Sequence, residues 1–309
     1  MRNFFAREVT SLASKAEEVF LVYGDIGNRL FDDFKKVAPE RFVNAGIAEA
    51  SMITMTAGLA KSGFVPFVYT INPFIYLKAL EQIKLDICYP QLPVIMVGTG
   101  GGLAYSELGT THHSLEDLGV LRNIPNLEIY GPADEFELIS AVHSAFDRRR
   151  PAYIRIGKKE SKKIHFEKSI LGKLDGEFIS AREMVTSSLA IVTFGTIATE
   201  VLEAHTLLAT RTNLDLWTAP QLKPLSSKFL RAFLSKYKKV FIVEEHRNSG
   251  GLFSILAEAL AASGPDLKTQ LFPINAADQF HTGLGDLDSA RKVLGLDAQS
   301  IVDRILSEI

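Results

Sequence analysis

Short apolar runs alternate with helical spacing from one end of the chain to the other. Residues 19–23 are apolar and stop at Gly24-Asp25, and residues 41–45, 64–69, 93–97, 127–130 and 152–156 read as further strands. Between them lie helical patterns. The one that opens on Glu49 carries Met52, Ile53, Met55 and Leu59 on its apolar positions and ends at Gly63. Others cover 77–87 and, after the start signal Pro132-Ala133-Asp134, 134–146. Such alternation predicts a mostly parallel sheet with helices on both faces.

A second α/β unit starts at residues 189–195, with further strands at 214–217, 240–243 and 270–272. Its helices fit 197–208, 227–237, 251–262 and 298–309, and no sequence repeat relates the two units. Between 157 and 176, Lys158, Lys159, Lys162, Lys163 and Lys168 crowd a stretch of little periodicity, which reads as a solvated linker. The expected fold class is α/β, with two three-layer domains at 1–160 and 179–309 joined by a linker at 161–178.

Composition narrows the function. The 309 residues carry a formal charge of -2, with 47% apolar and 23% charged side chains, an ordinary globular balance without the basic excess of nucleic-acid or membrane-surface binders. Cys88, the only cysteine, excludes an intrachain disulfide and reads as a small buried hydrophobe. The N-terminus lacks the long apolar core of a signal peptide, and no segment is apolar for long enough to span a bilayer. The expectation is a soluble cytoplasmic protein.

Chemistry concentrates in two places. The run from Arg41 to Ser51 reads as strand, glycine turn and helix, which puts Glu49 where open α/β sheets bind ligands. Burial beside hydrocarbon would raise the pKa of this carboxyl and suit it to proton chemistry on a heterocycle. The competing role is a carboxylate that only complements the helix dipole. The second cluster runs from Gly109 to Leu118 and holds His112, His113, Glu116 and Asp117. A metal site is one reading, but adjacent histidines usually point apart and no helical His-x-x-x-His spacing occurs. Gly98-Thr99-Gly100-Gly101-Gly102 lacks the third glycine of a dinucleotide fingerprint and is expected to be a loop needing positive φ or close backbone approach.

In order, Gly46-Ile47-Ala48-Glu49, Gly58-Leu59-Ala60, Thr111-His112, Glu116-Asp117-Leu118, Leu121-Arg122, Ile124-Pro125-Asn126 and Pro132-Ala133-Asp134 resemble the transketolase family. With Val243-Glu244-Glu245-His246 and Gly250-Gly251, the resemblance runs from about Val19 to the end, and is narrowest to the C-terminal half of a transketolase carried as a separate subunit. It implies a pyrimidine-binding domain for thiamin diphosphate followed by a C-terminal domain. Glu49 then matches the glutamate that hydrogen-bonds the aminopyrimidine and favours its imino tautomer. Phe74 matches the aromatic stacked on that ring, with Tyr76 as the alternative. His112, with His113 beside it, matches a histidine that contacts the donor sugar, and Lys158 falls where relatives carry a phosphate-binding arginine or belongs to the linker. The last domain receives no catalytic role.

Two departures concern the substrate. Gly100 and Gly101 stand where relatives carry another histidine, and Leu108 stands where an aspartate reads donor stereochemistry, which implies an unusual or modified sugar. A third concerns the cofactor. Neither Gly24-Asp25-Ile26 nor Gly285-Asp286-Leu287 completes the family's magnesium-diphosphate motif. The resemblance therefore implies an N-terminal partner subunit that supplies most of the Mg2+ (or Ca2+) and diphosphate site, in a dimer of heterodimers acting on sugars or sugar phosphates. Two alternatives are the beta subunit of a 2-oxoacid dehydrogenase first component and a non-catalytic scaffold subunit.

Overall fold

A computed structural model describes residues 1–309 except 28, 160, 166–171, 173 and 185; the linker's Lys168 lies outside the described residues. The first half runs α1 (Arg2–Ala13), β1 (Val19–Tyr23), α2 (Asp32–Val37), β2 (Phe42–Asn44), α3 (Glu49–Lys61), β3 (Val65–Ile71), α4 (Asn72–Tyr76) and α5 (Leu80–Gln82). It continues with a π-helical turn (Ile83–Cys88), β4 (Ile95–Thr99), α6 (Asp117–Leu121), β5 (Glu128–Tyr130), α7 (Glu135–Arg148) and β6 (Ala152–Ile156). The second half runs β7 (Ile179–Arg182), β8 (Leu189–Thr193), α8 (Ala198–Leu208), β9 (Asp215–Thr218), β10 (Gln221–Lys223) and α9 (Ser227–Lys236). It ends with β11 (Lys239–Arg247), α10 (Leu252–Ala262), β12 (Gln270–Ala276), α11 (Leu287–Val293) and α12 (Ala298–Leu306).

Two sheets result, in the orders β10-β5-β6-β4-β3-β1-β2 and β12-β11-β8-β9-β7. All pairings are parallel except those of β10 with β5 and of β7 with β9. Alternate residues of each strand feed opposite faces, as the two-residue strand period requires. In β1, Phe20 and Val22 join the core shared with α3, whereas Val19, Leu21 and Tyr23 join the core under α1 and α7. The first of these cores continues through Phe194 and Leu222 into Val192, Val240 and Ile242, so one apolar layer crosses the boundary between the halves. α8 and α12 cover the remaining face of the second sheet.

Most of the expected elements form, and the differences have local causes. The stretch expected as one helix at 77–87 is broken into α5 and the π turn, which puts Ile83, Ile87 and Cys88 into the core while Leu85 stays half exposed. Burial pushes the Cys88 thiol up to about 12, as suits a packing cysteine. Met55, expected on the apolar face of α3, is exposed; Met52 and Ile53 carry the packing. The stretch at 161–178 is not simply solvated, because Ile164, His165 and Leu174 are buried. Asp134 caps α7 through Oδ1 and receives the Ile164 and His165 amides on Oδ2 at 3.0 and 2.8 Å. β10, a strand not expected from the sequence, falls in the stretch assigned to the second unit but closes the edge of the first sheet. There Lys223 donates to the backbone carbonyls of Arg122 and Ile124. Among the described residues, no helix is long and apolar enough to cross a membrane.

His165 Nε2 lies 2.8 Å from Glu137 Oε1 and 3.1 Å from Thr218 Oγ1, which ties the connecting stretch to both halves. Burial pulls this imidazole down most strongly, but the bond to Glu137 and the charges of Glu137 and Asp134 together outweigh it and hold the pKa above 6.5. The stability it contributes is fully present below the unfolded value and is lost as pH rises through the folded one. His165→Asn should therefore lower the urea midpoint most below pH 6.5, with wild type and variant converging as pH rises above it; a gap independent of pH would contradict this.

Candidate active site

After β2, Asn44 Oδ1 accepts the Gly46 amide at 2.8 Å and Gly46 turns at φ +71, a conformation that favours glycine. The turn delivers Glu49 as the first residue of α3, where the helix dipole favours an anion. Its side chain is buried, 7% exposed, and Oε2 lies 3.3 Å from Lys78 Nζ. An ammonium thus meets the carboxylate where hydrocarbon alone was expected. The same Nζ sits 4.0 Å from the centroid of the Phe74 ring.

From Phe74 a line of groups continues across the surface. The His112 ring stands edge-on to Phe74 at 5.3 Å and to Tyr105 at 6.1 Å, and Lys158 Nζ lies 4.8 Å from the Tyr105 ring centre. Glu49, Phe74, His112 and Lys158, separated in sequence, are therefore joined in one line of contacts, completed by Lys78 and Tyr105. Partial burial, the neighbouring His113 and the Lys78 charge all lower the His112 pKa, so its ring is neutral at physiological pH. Thr111 Oγ1 lies 2.9 Å from His112 Nδ1, which leaves Nε2 as its disengaged nitrogen.

Two predicted residues are not part of this line. Tyr76 is fully buried, with its hydroxyl on Glu116 Oε1 at 3.0 Å. His113 is buried, and its Nε2 lies 3.3 Å from the Ser106 carbonyl. Among the described residues, no group of three or more His, Cys, Asp or Glu side chains is placed to hold a metal ion. Asp286 caps α11 through the Ser289 amide, and Leu108 is exposed.

Beneath this line of groups lies a buried polar network that the residue pattern alone does not reveal. Arg155 Nε meets Asp117 Oδ2 at 2.8 Å, with both side chains at most 3% exposed. Asn72 Nδ2 donates to the same oxygen at 3.1 Å, and the Tyr153 hydroxyl lies 2.8 Å from it. Arg155 Nη2 donates to the carbonyls of Ser114 and Glu245, at 3.1 and 2.8 Å. Glu245 Oε1 in turn accepts from Arg291 Nε at 2.7 Å, and Arg291 Nη1 reaches Glu200. The glycine loop makes room for these groups. A Cβ at Gly98 would fall 1.6 Å from Asn72 Oδ1, and one at Gly101 2.6 Å from Arg155 Cγ. The available signal was Arg155 itself, a charge inside an otherwise buried strand, which demands a partner.

Residues 1–163 match the family model "Transketolase, pyrimidine binding domain", and residues 181–301 match "Transketolase, C-terminal domain". The chain belongs to the transketolase family. It is 34% identical over 278 residues to one subunit of the apulose-4-phosphate transketolase of Actinobacillus succinogenes, covering 89% of this chain and 86% of that one. It is 33% identical over 279 residues to the 1-deoxy-D-xylulose-5-phosphate synthase of Dictyoglomus thermophilum, covering 89% of this chain but only 43% of that enzyme. A solved structure, "Split gene transketolase, inactive beta4 tetramer", superposes with a TM-score of 0.85 at 28% identity, covering 99% of this chain and 96% of that one. Both sheets of this transketolase-family chain thus recur in a protein of nearly the same extent.

Removing Asp117 would leave the Arg155 guanidinium buried without its carboxylate. Asp117→Ala should cost about 3–5 kcal/mol in chemical denaturation. A loss of about 1 kcal/mol or less, the range of an exposed pair, would contradict the burial argument.

Proposed function

We propose that this chain is the beta-type subunit of a split transketolase, which uses thiamin diphosphate to transfer a two-carbon ketol unit between sugars after joining a partner subunit. The observation that carries the reading is the buried Glu49 carboxylate at the start of α3, beside the half-buried Phe74 ring, within the segment matching the pyrimidine-binding family model.

The residues present fit the pyrimidine half of the cofactor: a carboxylate to share a proton with a ring nitrogen, and an aromatic face to orient the ring. When bound, the cofactor supplies the nucleophilic carbon and the electron sink for carbon–carbon bond cleavage. Glu49 would hold the proton that sets the tautomer of the ring. Phe74 would fix the plane of the ring without competing for its hydrogen bonds. His112, neutral and anchored by Thr111, would offer Nε2 to the hydroxyl and carbonyl end of a donor sugar, and Lys158 would attract a substrate phosphate. His113 and Tyr76, both buried, would support the loop and the core instead.

Among the described residues, nothing comparable offers itself for the diphosphate and Mg2+ (or Ca2+), a role this reading gives mainly to an N-terminal partner subunit. Ile47, 81% exposed, and Leu77, 59% exposed, flank Glu49 and Lys78 and suit a surface that such a partner covers. The related tetramer of four beta chains is described as inactive, which also supports a need for the partner. The reading extends to a dimer of heterodimers in cytoplasmic carbohydrate metabolism. The likeness to the apulose-4-phosphate transketolase and the exposed Leu108 favour a phosphorylated sugar such as apulose 4-phosphate. The identity to 1-deoxy-D-xylulose-5-phosphate synthase supports a second reading, in which the complex forms that product.

In the reconstituted complex, Glu49→Gln should lower ketol transfer by about 10²- to 10⁴-fold, the usual contribution of a proton-transfer group. Transfer within about threefold of wild type would reject Glu49's role. The isolated chain should bind thiamin diphosphate poorly, and tight binding in calorimetry would contradict the partner requirement. Detection of 1-deoxy-D-xylulose 5-phosphate in place of ketol-transfer products would favour the second reading.

A further inference from the structure

Lys78 touches both groups that the proposed function assigns to the pyrimidine ring. Its ammonium is 3.3 Å from Glu49 Oε2 and 4.0 Å from the centre of the Phe74 ring. A cation in that place satisfies the carboxylate electrostatically and covers the aromatic face, which are the two interactions an aminopyrimidine would make there. From this juxtaposition, and resting on the proposed cofactor reading, we infer that Lys78 is an intramolecular latch that occupies the ring-binding position of the separate chain and must withdraw when the ring enters.

The local structure lets it withdraw. Lys78 sits between α4 and α5, helices of five and three residues, rather than inside a long helix whose turns would resist rearrangement. Its side chain is 47% exposed, so the ammonium can return to water at little desolvation cost. Glu49, at 7%, cannot escape in the same way and is left to bind whatever replaces the ammonium. The contact is weak because its parts are weak: an exposed-to-buried ion pair plus one cation–π contact resists a competing ligand by roughly 3- to 30-fold. That is enough to depress affinity in a lone subunit and small enough for a partner's added contacts to overcome.

The test measures binding of 4-amino-5-hydroxymethyl-2-methylpyrimidine, a stand-in for the cofactor's ring, to the full isolated chain by ligand-observed NMR. Lys78→Met keeps the apolar stem and removes the charge, and should bind the ring about tenfold more tightly than wild type. Lys78→Arg should remain within about threefold of wild type, because it retains a cation over Phe74. Adding Glu49→Gln to Lys78→Met should abolish the gain. Circular dichroism establishes that each variant is folded. If Lys78→Met binds the ring no better than wild type, undetectable binding in both included, the latch is overturned. The cofactor reading stands or falls separately on Glu49→Gln in the reconstituted complex.

Discussion

The ion pair between Asp117 and Arg155 holds this molecule's working parts in one frame. Arg155 lies on β6, in the middle of the first sheet, and Asp117 opens α6, at the end of the loop that carries His112. Buried charges are tolerated only when paired and hydrogen-bonded, and here the partners come from several elements. Asn72, at the start of α4, ties in the segment that presents Phe74 and Lys78. The carbonyl of Glu245 on β11 ties in the second domain. The ion pair thereby links strand, loop and helix: Arg155 holds the Ser114 and Glu245 carbonyls, and Asp117 holds Asn72. The apolar layer crossing the domain boundary gives adhesion without direction; the polar network supplies the direction.

Above that frame, the line of candidate groups places an anion and a neutral ring near one another. Glu49 is held at a helix start within reach of a movable ammonium, and His112 is kept neutral by partial burial and neighbouring positive charge. A neutral imidazole can donate or accept at a sugar hydroxyl, whereas an imidazolium can only donate. On the proposed reading the reacting carbon would belong to a cofactor, which leaves orientation and proton placement to the protein.

Sequence periodicity made the architecture legible because most strands contain a short apolar run, and α3 and α7 carry clear end signals in Gly63 and Asp134. The Glu49 turn was legible for the same reason: a glycine between a strand and a helix leaves little choice of geometry. What escaped was set by tertiary contacts. Lys78 looks like any surface lysine until α5 and the π turn pack on α3, and Tyr105 has no periodic context. The break of the 77–87 helix arises because Ile83, Ile87 and Cys88 all face the core, a spacing wider than an α-helical stripe accommodates evenly. Tyr76 was a plausible ring partner by position, but the bond from its hydroxyl to Glu116 turns it inward. The antiparallel strand β10 is three residues long and has no periodic signal that sequence could supply.

That small strand bears on how such proteins can be cut and joined. β5 would be the open margin of the first sheet, and it is sealed by residues that follow the connecting stretch by some distance. A gene fragment ending at the first domain would expose unpaired backbone groups along β5, inviting edge-to-edge aggregation. The two domains are therefore best regarded as one heritable cassette: breakpoints for fusion, splitting or shuffling are tolerated upstream of α1 or beyond α12, and penalised between them.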